Sequence, residues 1–152
     1  MDHSHRCNCC RAFFLRVGEE ARERNKASGL IISDNAIYVT EQMPERRISV
    51  STVQLKKPGF VVIHEDANGT PGKTLGVSHL LPAGETENPP PIVLSRLTED
   101  TETIYAMLHI DNGDGHFDAS RDQSAIDPVV GEPVMMIITI SKDATFPGVV
   151  NP

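Results

Sequence analysis

The chain has 152 residues, room for one domain of ordinary size plus an appendage, and 39% of them are hydrophobic, enough for a packed core. Trp is absent, aromatics are few, and Gly and Pro number 11 each, a mixture that suits short strands joined by turns and disfavours a helix-rich fold. A formal charge of −7 argues against a nucleic-acid partner, whose phosphates need clustered Lys and Arg, and no run approaches transmembrane length.

The N-terminal segment differs from the rest. Arg6, Arg11, Arg16, Arg22, Arg24 and Lys26 make it locally basic, so the acidic excess belongs to the remainder. All three cysteines, Cys7, Cys9 and Cys10, lie here, so no disulfide joins two sheets in the manner of an antibody domain. With His3 and His5 they form a soft ligand set whose spacing fits no standard zinc knuckle. A tail without function, capture of copper or zinc, and a disulfide to a partner are all open readings. The start lacks the apolar segment and small-residue cleavage site of a secretory signal, so the chain as written reads as soluble and unexported.

Phe13, Phe14, Leu15 and Val17, followed by the charged run Glu19 to Lys26 and then Gly29, predict a short amphipathic helix. Its aromatic pair must bury against its own domain or dock onto another protein or a membrane surface; Phe13, Phe14 and Arg16 are the expected interaction residues. Leu30 to Ile32 and Ala36 to Thr40, separated by Ser33-Asp34-Asn35, predict an edge hairpin. Residues 1–46 are thus assigned to an N-terminal arm.

A regular β text occupies 47–142. Ile48 to Val53 alternates, Lys57-Pro58-Gly59 turns, and Phe60 to His64 is a dense apolar strand closed by Asn68-Gly69-Thr70-Pro71-Gly72. Thr74 to Leu81, Ile92 to Leu97, Thr103 to Ile110 and Val134 to Ser141 follow at similar spacing, with a stiff projecting loop predicted over Pro82 to Pro91 and a long polar one over Asp111 to Pro133. Tyr105 after an acidic turn fits a tyrosine corner, in which the phenol ties a sandwich corner to backbone; a buried Tyr at a strand start fits as well. Residues 143–152 form an apolar, non-helical tail. The predicted fold is all-β, an antiparallel sandwich of immunoglobulin-like or cupredoxin-like type with a short helical arm.

The segments Gly59-Phe60-Val61-Val62-Ile63-His64, Leu75-Gly76-Val77-Ser78, Leu81-Pro82-Ala83-Gly84 and Tyr105-Ala106-Met107-Leu108-His109-Ile110-Asp111, with Phe117-Asp118 and Asp127-Pro128 downstream, resemble an uncharacterised β-sandwich domain of bacterial and archaeal exported and surface proteins. The resemblance covers roughly Arg47 to Ser141. It implies a sandwich fold and an extracytoplasmic, periplasm-like setting, with no established activity; the missing signal leaves a cytoplasmic location open.

Two sets of residues carry candidate chemistry. His64 shares a strand face with Phe60 and Val62, and His109 with Tyr105 and Met107, which places both imidazoles at the end of a core-facing row. Hydrogen-bonded structural histidines and a copper or zinc site, completed by Met107 or His116, are the two readings; blue copper is excluded because no cysteine follows Cys10. Asp111-Asn112-Gly113-Asp114-Gly115-His116-Phe117-Asp118 looks like a calcium loop but fails the EF-hand count, leaving a strand-ending turn or a calcium site at Asp111, Asp114 and Asp118. No nucleophile elbow, phosphate loop or paired carboxylates mark an enzyme.

The expectation is a non-catalytic accessory or structural subunit without a cofactor. It would dock through its sandwich and arm onto other subunits of a larger, membrane-associated complex, one engaged in electron transfer being the first to consider. The alternative is a metal-binding or metal-delivery protein.

Overall fold

The computed structural model describes residues 34–145, and these are all-β. The arm helix, the first strand of the edge hairpin, the His3 to Cys10 cluster and the end of the C-terminal tail lie outside the described residues. Among the described residues nine strands run in chain order: β1 (Ala36–Tyr38), β2 (Arg47–Ile48), β3 (Thr52–Leu55), β4 (Gly59–Asp66), β5 (Pro71–Val77), β6 (Gly84–Glu87), β7 (Ile92–Val93), β8 (Thr103–Ile110) and β9 (Met135–Thr139). They form antiparallel sheets in the orders β1-β3-β6 and β5-β4-β8-β9, with β2 and β7 as a separate pair. None of the helices required to cross a membrane is present among the described residues.

Residue pattern explains the difference between strands. β3 alternates buried Val53 and Leu55 with half-buried Thr52 and Gln54, as a strand with one covered face must. β4 and β8 are buried almost throughout, which fits their unbroken apolar text and their central place in the four-stranded sheet. One core cluster draws Val53 and Leu55 from β3, Val61 and Ile63 from β4, Leu75 from β5, Ile104, Ala106 and Leu108 from β8, and Ile138 from β9. Each large aliphatic side chain fully buried there contributes about 1.5–3 kcal/mol relative to exposure.

Several elements depart from expectation. The stretch Ile48 to Val53 is divided: Ile48 belongs to β2, paired with β7, and Val53 to β3, paired with β1 and β6. Ala36–Tyr38, placed above in the arm, hydrogen-bonds to β3 in register Ile37↔Val53. The loop expected over Pro82 to Pro91 instead contains β6, paired with β3 through Val53↔Thr86. Its outward glutamates, Glu85 and Glu87, are exposed, and charge on an outer strand discourages further pairing.

Candidate functional site at His64 and His109

β4 and β8 pair antiparallel in the register Phe60↔His109, Val62↔Met107 and His64↔Tyr105. All six side chains therefore share one face, since residues two apart on a strand point the same way. That face is not the one expected. Val61, Ile63, Ile104, Ala106 and Leu108, the alternate residues, supply the core cluster, so the histidines stand on the opposite face of the four-stranded sheet. Apolar residues on both faces of β4 and β8 hid this from a pattern that finds faces by contrast.

The segment after β8 covers this second face. Phe117 meets Phe60 edge-on at 5.7 Å between ring centroids and His109 at 5.4 Å and 87°. Phe60, Val62, Tyr105, Met107 and His109 are all buried.

Both imidazoles are held in the same way. Nδ1 of His64 lies 2.9 Å from the Gly72 carbonyl oxygen, and Nδ1 of His109 lies 2.8 Å from that of Asp122. A carbonyl can only accept, so each Nδ1 carries the proton and donates, which leaves each Nε2 of a neutral ring with a lone pair. Both Nε2 atoms are shut off from solvent and have no hydrogen-bond partner among the described residues. The ring centroids are 6.0 Å apart with 31° between planes. Burial pushes the His109 imidazolium below its ordinary pKa; the Asp122 carbonyl opposes this and nearby His64 adds to it, so the neutral form is favoured.

Two local structures deliver those carbonyls. β5 is out of step with β4 around His64, with register shifts on both sides, and this irregularity presents Gly72. A side chain at Gly72 would strike the Ala67 Cβ at 2.8 Å, so the close approach needs glycine. On the other strand, the buried Asp122 carboxylate accepts the backbone N–H groups of Asn112 at 2.9 Å and Asp118 at 2.7 Å. It cinches residues 112–122 and thereby fixes the carbonyl that holds His109. Neither contributor was visible in the sequence, because a backbone carbonyl leaves no residue-type signature; Asp122 had only its place in an Asp-rich loop.

Met107 lies between His109 and Tyr105 on the same face, and its Sδ accepts from the Ser124 hydroxyl at 3.3 Å. Tyr105 is no tyrosine corner. Its phenol donates to Asp66 Oδ1 at 2.8 Å, and this bond to an anion raises its pKa.

The calcium candidates are arranged differently. Asp111 accepts from the Gly115 N–H, Asp114 from that of His116, and Asp118 from the Ser120 N–H and hydroxyl. These are side chains folding their own loop, as Asx turns do. No group of three His, Cys, Asp or Glu suited to a metal forms among the described residues, so Asp111, Asp114 and Asp118 are not brought to one point, nor does His116 join His64 and His109. Phe13, Phe14 and Arg16 lie outside the described residues.

Comparison with curated proteins and with solved structures gives no match. A family model does match, over residues 35–141, which include His64, His109 and every strand of the described fold. The chain belongs to that family, described as a domain of unknown function (DUF7282).

Proposed function

We propose that this chain is a non-catalytic metal-binding module, a β-sandwich that holds one copper or zinc ion between Nε2 of His64 and Nε2 of His109. The observation that carries the reading is the pair of buried Nε2 atoms without hydrogen-bond partners among the described residues, each on a ring whose Nδ1 is tied to a carbonyl. A buried polar atom left unsatisfied costs about 1–3 kcal/mol, so two at one place call for an occupant that both lone pairs can serve. Metals bind imidazole nitrogen at about 2 Å, which puts two rings on one ion with centroids roughly 5–6 Å apart, in keeping with the 6.0 Å here. Outer groups that fix the tautomer of a ligating histidine are the usual company of such sites.

Strand order supports an immunoglobulin-like type of sandwich. With β1, β3 and β6 as strands A, B and E, and β5, β4, β8 and β9 as C′, C, F and G, the two sheets correspond to the halves of an immunoglobulin-like sandwich enclosing one core. Copper or zinc titration of purified protein, with elemental analysis, tests the function. In a C7S/C9S/C10S background, which removes the terminal thiols, one equivalent is expected with His64 and His109 intact and none for the H64A/H109A double variant. Absence of stoichiometric metal from the native protein overturns the reading.

A second reading, docking onto a larger and membrane-associated complex on its outer side, is favoured by the turn between Ile126 and Pro133, which pair across it. Val129 and Val130 at its tip are 65% and 68% exposed. Asp127 accepts both their N–H groups, so the tip is braced and loses little entropy on binding. Co-purification from native membranes tests it, with the V129S/V130S variant expected to elute alone. Elution of the native protein as a free monomer overturns it.

A further inference from the structure

We infer that the ion held by His64 and His109 is monovalent copper and that the Met107 thioether is its third ligand; this rests on the two-histidine reading above. Charge is the first reason. Both imidazoles are neutral ligands, and no third His, Cys, Asp or Glu joins them among the described residues, so nothing in the first shell compensates an ion's charge. The Born cost of burying an ion grows as the square of its charge, so a monocation here costs about a quarter of what a dication does.

Coordination number is the second. A closed zinc site takes four ligands, commonly with thiolates or carboxylates among them, whereas two nitrogens and a thioether suit a soft ion content with two or three donors. Placement is the third. Met107 stands on β8 next to His109 on the same face, opposite Val62, whose strand neighbour on that face is His64. The thioether is therefore central to the row that the two rings bound. Met107 is 8% exposed, and its sulfur accepts from the Ser124 hydroxyl, a weak bond to a weak acceptor. Phe117, packed edge-on against His109 and Phe60, keeps water from completing the shell of a harder ion. The step is association: lone pairs of two Nε2 atoms and of Sδ bind the ion, and no covalent bond in the protein breaks.

The experiment is anaerobic competition of the full chain for Cu(I), against a Cu(I) chelator, alongside Zn(II) titration, on M107L, H64A/H109A, S124A and the protein native at these positions, all carrying C7S/C9S/C10S so that the terminal thiols bind no copper. Copper K-edge absorption on the Cu(I)-loaded native protein supplies a readout independent of any variant. Cu(I) is expected to bind at least 100-fold more tightly than Zn(II), with a sulfur scatterer beside two nitrogens. M107L, a volume-conserving change, should keep the native melting profile while weakening Cu(I) at least tenfold and losing the sulfur scatterer. S124A frees the thioether and should not weaken Cu(I). Zn(II) binding as tightly as Cu(I), or Cu(I) without sulfur in the native spectrum, overturns the inference but leaves the two-histidine site standing. If neither ion binds the native chain, or H64A/H109A binds as the native does, both fall together.

Discussion

The two faces of the β4 and β8 pair are built on different terms. On one, Val61, Ile63, Ile104, Ala106 and Leu108 meet the other sheet as hydrocarbon alone, with nothing to satisfy beyond packing. On the other, Phe60, Val62 and Met107 are also buried, but His64, His109 and Tyr105 bring polar atoms into the same layer. Three of those atoms find partners: Gly72 and Asp122 carbonyls for the two Nδ1 atoms, and Asp66 for the phenol. Two do not. A stability role explains the first face completely, and the second only in part, which is why the candidate site belongs there.

Truncation in the core face separates stability from function most sharply. Ile63 is fully buried, and I63A should lower unfolding free energy by about 2–5 kcal/mol, measured by urea denaturation, since the site cannot collapse between two sheets. Metal stoichiometry of the folded fraction should stay at the native value. A loss of binding in proportion to destabilisation would show that the two faces are not independent.

Asp122 is the corresponding test from the covered face. Its carboxylate takes two backbone N–H groups in a buried setting, and D122A leaves both orphaned, costing about 3 kcal/mol for charge-assisted bonds of this kind. The Asp122 carbonyl is then no longer held beneath His109, so weaker metal binding should accompany the stability loss, in contrast to I63A. Asp122 acts as a positioning residue. Unchanged affinity in D122A would mean that the ring is fixed by Phe117 packing instead.

Much of this arrangement was legible in the residues. Thr103–Ile110 stands as expected, Phe60 to His64 lies within β4, and strand alternation correctly grouped His64 with Phe60 and Val62, and His109 with Tyr105 and Met107. Which face those groups occupied was not legible, because alternation identifies a buried face only where the other is polar, and here both are apolar. The meeting of the two histidines depends on the register Val62↔Met107, a tertiary fact that neither strand encodes alone. The carbonyls of Gly72 and Asp122 were invisible for a simpler reason: every residue has one. β6 escaped notice because its glutamates and flanking prolines read as loop, although charge suits an outer strand.

The smallest expected effect comes from the corner where β8 begins, which serves neither face. Glu102 accepts both guanidinium nitrogens of Arg96 and the Glu99 N–H, and the Arg96 hydrogen bonds hold its carboxyl below the usual range against the opposing effect of burial. A carboxylate whose folded pKa is depressed binds fewer protons than its unfolded counterpart, so it adds stability above the unfolded value, 4.5, and that stability is lost as pH falls through the folded value. Arg96 is 40% exposed, so solvent screening limits the contribution to about 0.5–1 kcal/mol. Asp100, Asp114 and Asp118 are shifted in the same direction by hydrogen bonds to the N–H of Lys142, the N–H of His116 and the hydroxyl of Ser120, and they should steepen the decline. E102Q should therefore lower the melting temperature by a few degrees at pH 7 and by progressively less below pH 4.5, until the folded carboxyl is itself protonated at its depressed value. Metal affinity at pH 7 should not change, because Glu102 lies outside the row from His64 to His109. An E102Q variant that lost metal binding would tie the corner to the second face and remove the contrast between the two faces.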